Sequence, residues 1–396
     1  MKSINYVSSR EKIKSTSILN FFISFLILVM SITRNGNLNI LYFFAPIFFT
    51  ISLKHNKNNI IYLIVMTLPF FIILFLTCNF SKYFNNYEKS IIYILKMIIC
   101  FSLFLSSKTL LFKLNIKEIV SNLIILILGL TTIAILTNSE YLWRFNDTTN
   151  LYSKTRLQLF FMEPSELSEV CGILLIIQFF YFRQTKNIKD LIYIVFCLIP
   201  LLLSAGLSGI VYSFLAILIL VVFYEFKNFK NNMISYFFIF LLLISLISII
   251  LIMFNGNSPI VNRIFLVLNG GDGSFNYRFV RAIGALKFLL SDTNYIGVGL
   301  GNIRTDLLSD VLSNYNLISF SNSFIFFISE GGFVAIIFLI SLLVYLLKNI
   351  FKNKETYENK CLKFSILFFL VVFQITGGYF TDPFIWIMYG VICCFK

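Results

Sequence analysis

The chain has 396 residues, of which 58% are hydrophobic and only 13% are charged, and its formal net charge is +14. Because soluble domains carry about 25% charged residues, this composition excludes a soluble protein and predicts an all-α, polytopic integral membrane protein. The basic residues lie in short segments between apolar runs and form no single patch. That distribution is typical of membrane topology and argues against a nucleic-acid partner.

Twelve apolar runs predict transmembrane helices within a single membrane domain that covers residues 1–396. In chain order the runs are about 18–32, 38–53, 60–78, 90–106, 119–137, 166–182, 190–204, 207–224, 233–254, 320–347, 362–377 and 382–395. Two long loops, 138–165 and 255–319, are both predicted to lie on the outer face.

Lysine and arginine set the predicted orientation. With both termini in the cytoplasm, the inner segments hold 20 Lys and Arg residues and the outer segments hold 11. Only two of the inner cations are arginine, whereas seven of the outer ones are. Since arginine binds phosphate and carboxylate groups bidentately, this bias predicts an anionic ligand on the outer face.

The segment Arg156–Glu169 ends the first outer loop and begins a predicted helix. Pro164 suits the first turn of a helix, because the N–H that proline lacks would be unpaired there anyway. Glu163, Glu166 and Glu169 follow at helical spacing on one face, and carboxylates at membrane depth mark a function by default. The alternative is that these acids only stabilise the positive end of the helix dipole.

The second outer loop contains a predicted amphipathic helix over residues 275–290. Its apolar stripe consists of Phe275, Phe279, Ile283, Leu286 and Leu290. Arg278 and Arg281 lie off this stripe, one turn apart, where they can reach a headgroup layer or an anionic ligand.

The sequence contains no pattern for metal or cofactor chemistry. Its seven cysteines form no CxxC pair, and the single histidine, His55, lies in a short polar loop. The run Gly297-Val-Gly-Leu-Gly301 lacks the spacing and the strand–helix context of a dinucleotide loop. We therefore predict no metal, no cofactor and no coupling to ATP.

Four motifs follow one another in the second half of the chain. They are Arg156…Phe161-Met-Glu-Pro-Ser165, Leu203-Ser-Ala-Gly-Leu-Ser-Gly209, Tyr277-Arg-Phe-Val-Arg281 with Gly297-Val-Gly-Leu-Gly-Asn302, and Ser321-Asn-Ser-Phe324 with Ile328-Ser-Glu-Gly-Gly332. In order, spacing and predicted sidedness they resemble the O-antigen polymerase and ligase superfamily, the integral-membrane enzymes of bacterial surface polysaccharide assembly. The resemblance covers about residues 150–345.

The resemblance implies a substrate and a location. Members of the superfamily act on oligosaccharides linked to polyprenyl pyrophosphate, at the outer leaflet of the bacterial inner membrane. Membrane lipid and a chain-length regulator protein are the further partners that it implies. Ligases of the superfamily carry a histidine in the region that matches Ser321–Phe324, where this chain has Ser-Asn-Ser, and that departure favours a polymerase over a lipid-A-core ligase.

The predicted reaction polymerises lipid-linked repeat units into O-antigen, capsule or exopolysaccharide. Arg156, Arg278 and Arg281 are predicted to bind the leaving pyrophosphate, and Glu163 to act as the general base. The predicted substrate-binding residues are Arg144, Glu166, Glu169, Arg304, Asn322 and Glu330. The alternatives are a ligase-type glycosyltransferase and a flippase or transporter of lipid-linked oligosaccharide.

Overall fold

The computed structural model describes residues 18–29, 41–111, 114–144, 156–226, 276–303, 305–352 and 355–394. The helices in these ranges are α1 (Ile18–Val29), α2 (Leu41–His55), α3 (Asn59–Phe80), α4 (Tyr87–Leu110), α5 (Ile116–Thr137), α6 (Pro164–Thr185), α7 (Ile188–Leu203), α8 (Leu207–Phe226), α9 (Ala282–Asp292), α10 (Asp306–Ser313), α11 (Ser323–Ile350), α12 (Tyr357–Thr376) and α13 (Pro383–Cys394). A two-stranded antiparallel ribbon, β1 (Trp143–Arg144) and β2 (Arg156–Leu157), precedes α6, and a π-helical turn, Asn276–Arg281, precedes α9.

Within the described residues, six helices, α3 to α6, α11 and α12, are long and apolar enough to cross a membrane. The chain is therefore an all-α membrane protein by the length and composition of its helices. Each of the eleven predicted spans that overlap the described residues contains one helix, whereas the predicted span 233–254 lies outside them.

Short local signals set where several helices begin. The Asn86 side chain accepts a hydrogen bond from the backbone N–H of Lys89 at 2.9 Å and caps the start of α4. Asparagine caps α5 and α7 in the same way. Helix α6 begins at Pro164, the position that its missing N–H favours.

Small residues bring neighbouring helices together. Packing and close approach hold helices together in lipid, where apolar burial supplies little driving force. A methyl group at Gly209 of α8 would overlap the Ser168 side chain of α6, and one at Gly390 of α13 would lie 2.6 Å from the Phe104 carbonyl of α4. Both contacts therefore require glycine.

A buried aromatic cluster joins four of these helices. The rings of Phe327 and Phe380 stack with centroids 4.5 Å apart, and Trp386 meets Phe101 edge-on at 4.8 Å. Phe70 of α3 completes the cluster at 5.4 Å from Phe327. Aromatic pairs of this geometry each contribute about 0.5–1.5 kcal/mol beyond the area they bury, so the cluster fixes α3, α4, α11 and α13 relative to one another.

Helix α11 is broken inside the bundle. Gly332 has φ 56° and ψ −138°, a backbone conformation that side-chain-bearing residues rarely adopt. The carbonyl groups of Ser329 and Glu330, freed by the break, accept hydrogen bonds from the N–H groups of Val298 and Gly299 at 3.0 and 2.9 Å. The glycine-rich segment after α9 therefore replaces the missing intrahelical partners.

The segment predicted as an amphipathic helix differs from the prediction in its buried face. Ala282, Ala285 and Leu289 are buried, whereas Ile283 of the predicted stripe is 42% exposed. The π-helical turn directly before α9 is wider than an α-helical turn, so its side chains are spaced at different angles around the helix axis. The small alanines allow α9 to pack closely against the rest of the protein. Val280, Ile283 and Phe288 are left exposed, where a membrane surface can cover them.

Candidate functional site

The candidate site lies where α6 begins, α12 ends and α13 begins, which we call the Pro164 end of the bundle. The Arg156 guanidinium donates from Nε to the Ser204 carbonyl at 3.0 Å and from Nη2 to the Ala205 carbonyl at 3.2 Å. These bonds attach the β ribbon to the link between α7 and α8. They hold the guanidinium in one place, as a preorganised anion site requires.

A second arginine lies directly opposite Arg156. The ribbon register pairs Arg144 with Arg156, and Arg144 is exposed. Like charges opposite each other on neighbouring strands repel, so an anion bound between them would relieve an unfavourable interaction. The sequence predicted both arginines as ligand residues but gave no reason to expect that they face each other.

The three glutamates at the start of α6 occupy different environments. Glu163 is exposed, and its Oε2 accepts a hydrogen bond from the Ser165 hydroxyl at 3.0 Å. Glu166 is 7% exposed, and its Oε2 accepts from the Met162 N–H at 3.1 Å, which holds the residue before the N-cap against the first turn of α6. Glu169 is 1% exposed, and its Oε1 has no hydrogen-bond partner in the described part of the chain.

Arg278 connects the π-helical turn to this end of the bundle. Its Nη1 donates to the Thr376 carbonyl at 2.6 Å, at the C-terminus of α12. A cation there complements the negative end of the helix dipole and pairs one of the terminal carbonyls. Arg281, at the end of the same turn, is exposed.

Asn322 and Glu330, two more of the predicted substrate-binding residues, also bind backbone N–H groups of the protein itself. Asn322 is buried and caps α11, because its side-chain oxygen accepts from the N–H groups of Phe324 and Ile325, both at 3.1 Å. The buried Glu330 accepts from the Gly301 N–H at 2.7 Å, beside the break in α11. A third, Arg304, lies outside the described residues.

A polar group that the sequence did not predict lies inside the bundle near the Pro164 end. Tyr389 of α13 donates its hydroxyl to Gln374 Oε1 of α12 at 2.5 Å, and it interacts electrostatically with Glu169. Asp382, in the link between α12 and α13, also interacts electrostatically with Glu169. An aspartate directly before a proline, Asp382-Pro383, is a helix-start signal that would have marked this residue.

The Asp382 side chain caps the start of α13, because its Oδ1 accepts a hydrogen bond from the Phe384 N–H at 2.9 Å. The residue nevertheless retains accessible surface. Within the described ranges, no group of three or more His, Cys, Asp and Glu side chains is arranged to hold a metal ion.

Comparison of the sequence with models of protein families and with curated protein sequences finds no match.

Proposed function

We propose that this chain is a membrane glycosyltransferase that polymerises polyprenyl-pyrophosphate-linked oligosaccharides into a surface polysaccharide. The observation that supports it best is the fixed guanidinium of Arg156 at the Pro164 end, held by the link between α7 and α8. Its bonds to two backbone carbonyls orient it before any ligand arrives, and the chain from Arg156 leads within seven residues to Glu163 at the start of α6.

The proposed reaction needs charge stabilisation and one proton transfer. A hydroxyl of the acceptor sugar attacks the anomeric carbon of the donor, and the bond from that carbon to the pyrophosphate oxygen breaks. The leaving pyrophosphate carries the electron pair away, and Arg156, Arg278 and Arg281 stabilise the growing charge. A carboxylate accepts the hydroxyl proton, and Glu163 is the residue that the sequence assigns to this step.

The proposal includes a topology and partners. Twelve spans place both termini in the cytoplasm of a bacterium and the Pro164 end on the outer face of its inner membrane. Lipid-linked oligosaccharide is the substrate there, and a chain-length regulator is the expected protein partner. The excess of arginine in the predicted outer loops supports this orientation, because the pyrophosphate of the substrate is anionic.

An arginine comparison tests the proposal in cells that lack the native gene copy. Complementation with wild type should restore a ladder of polysaccharide chain lengths on a gel. Arg156→Ala should abolish the ladder, because loss of a charge-stabilising donor costs about 2.7–4 kcal/mol of barrier. Arg183→Ala, at the opposite end of α6, is the matched control and should keep it. An unchanged ladder with Arg156→Ala would remove that residue from the mechanism.

A transporter of the same lipid-linked oligosaccharide is the second candidate. The break in α11 favours it, because transporters often use discontinuous membrane helices. A deletion strain separates the two functions. Without a polymerase, single repeat units still reach the surface, whereas without a flippase no repeat unit does.

A further inference from the structure

We propose that α9 and the turn before it bind an anionic lipid surface, the membrane leaflet at the Pro164 end of the bundle. Val280, Ile283 and Phe288 contact the acyl chains of that leaflet, and the Lys287 ammonium binds its anionic headgroups. Such a contact would serve a transporter as well as a polymerase, so it does not depend on the proposed function.

Contacts at both ends hold α9 across one end of the bundle. Before its first residue, Arg278 Nη1 donates at 2.6 Å to the carbonyl of Thr376, the last residue of α12. At its last residue, Asp292 pairs at 2.7 Å with Lys82 of the link between α3 and α4. Both partners lie where membrane-spanning helices end. A helix that joins two such ends runs along the membrane plane and not across it.

The segment after α9 keeps the helix at the level of the membrane surface. Val298, six residues beyond the end of α9, donates its N–H to the Ser329 carbonyl at 3.0 Å. Ser329 lies about 9 Å along the axis of α11 from its first residue, Ser323, at 1.5 Å per residue. A chain that reaches this depth so soon after α9 does not let the helix stand away from the bundle.

One side of α9 packs on the protein and the other side is open. Ala282, Ala285 and Leu289 are buried, whereas the open side exposes 63% of Val280 and 42% of Ile283. Phe288 is 40% exposed on that side, and Lys287 beside it is exposed as well. In an interfacial helix, apolar side chains lie among acyl chains while the long stems of cations carry their charge to the headgroups. The open side has this composition.

Helix α10 shows the opposite surface, although it shares a small buried cluster with α9. Its exposed side carries two acids, Asp306 and Asp310, and one large apolar residue, Leu307. Anionic headgroups attract Lys287 and repel these carboxylates. Of the two helices, α9 is therefore the one whose charge complements an anionic leaflet.

A second copy of the chain is a poorer partner for the open side of α9. A two-fold contact would place this side against itself, because both copies contribute the same surface. Residues 280–291 include two cations, Arg281 and Lys287, and no acid that could pair with them. The charges of the two copies would repel each other across the contact.

The test uses the full chain with one added tryptophan, in nanodiscs that each hold one chain. The lipid is an equal mixture of phosphatidylcholine and phosphatidylglycerol, of which one carries bromine on its acyl chains and quenches tryptophan fluorescence on contact. Ile283→Trp should be quenched more than wild type, whose Trp143 and Trp386 give the background. Asp310→Trp, on the acidic side of α10, is the matched control and should add no quenching.

The position of the bromine then measures the preference for anionic lipid. Ile283→Trp should be quenched more strongly when phosphatidylglycerol carries the bromine than when phosphatidylcholine does. Adding Lys287→Gln should keep the total quenching and lower this preference by up to about fivefold, the effect of one cation at an anionic surface.

Three results would overturn the assignment. If neither Ile283→Trp nor Val280→Trp adds quenching, the open side of α9 does not contact lipid; the second reporter also covers misfolding of the first. Quenching that disappears when each nanodisc holds two chains would assign this side to a second copy. Equal quenching by the two brominated lipids, unchanged by Lys287→Gln, would exclude the anionic headgroup as the partner of Lys287.

Discussion

Replacing Gly332 with alanine tests the break in α11. The φ of 56° and ψ of −138° belong to a region that costs a side-chain-bearing residue about 1–3 kcal/mol. The added methyl group would also overlap the Tyr295 carbonyl oxygen and lie 2.5 Å from the Ile296 carbonyl carbon. These are backbone atoms, so relief requires the segment after α9 to move, which adds about 1–3 kcal/mol as for other overpacked sites. We expect Gly332→Ala to destabilise the protein by about 2–6 kcal/mol.

Gly129→Ala is the matched control. Gly129 lies inside α5, and a methyl group there would meet nothing within 4 Å. Alanine should leave the stability unchanged or raise it by up to about 1 kcal/mol. Thermal unfolding in detergent, followed by loss of the monodisperse peak in size-exclusion chromatography, measures both variants. If Gly332→Ala unfolded at the same temperature as wild type, the helix could not be broken at this residue.

Three other substitutions test single contacts. Glu330→Ala removes the acceptor for the Gly301 N–H and should cost about 1–3 kcal/mol in thermal unfolding, whereas Glu330→Gln, which keeps an acceptor oxygen, should cost less. The buried Lys363 ammonium lies 2.6 Å from the Glu355 carboxylate in wild type. Glu355→Ala leaves this charge unpaired and should destabilise the protein by about 3–5 kcal/mol in thermal unfolding. Adding Lys363→Met removes the unpaired charge, so the double variant should recover part of the stability. Asp292→Asn breaks a partly exposed ion pair with the α3–α4 link, so hydrogen exchange in α9 should rise by a factor that corresponds to less than about 1 kcal/mol. Hydrogen bonds from that link lower the pKa of Asp292, so the ion pair stabilises α9 at pH values above 3.8, the ordinary pKa of the carboxyl group. As the pH falls below 3.8, the proteolysis rate of wild type should approach the rate of Asp292→Asn.

Apolar runs predicted most of the helices because lipid permits few other structures. A chain that leaves no backbone group unpaired in a bilayer must be helical there, so run length alone indicates a helix. The start of α6 could also be predicted, because the preference of proline for the first turn of a helix does not depend on tertiary contacts. The break in α11 was not predicted, because its freed carbonyls are paired by a segment about thirty residues away in the sequence.

The environments of the acids could not be read from their spacing. Helical periodicity places Glu163, Glu166 and Glu169 on one side of α6, but exposure depends on what covers that side. Asp382 interacts electrostatically with Glu169 from a link that the sequence assigned to the edge of a membrane span. Asn322 was predicted to bind substrate, although a short polar residue before an apolar run is also the usual signal of a helix cap.

Polymer formation by the purified chain tests the proposed function most directly. The full chain in sealed liposomes is given polyprenyl-pyrophosphate-linked oligosaccharide as its only sugar source, with no nucleotide sugar and with a chelator present. We expect a ladder of lengthening lipid-linked polysaccharide and release of polyprenyl pyrophosphate in equal number to the new glycosidic bonds. Arg156→Ala should form neither product at a measurable rate. Movement of intact lipid-linked units across the bilayer without any new bond would contradict the proposal and identify a transporter.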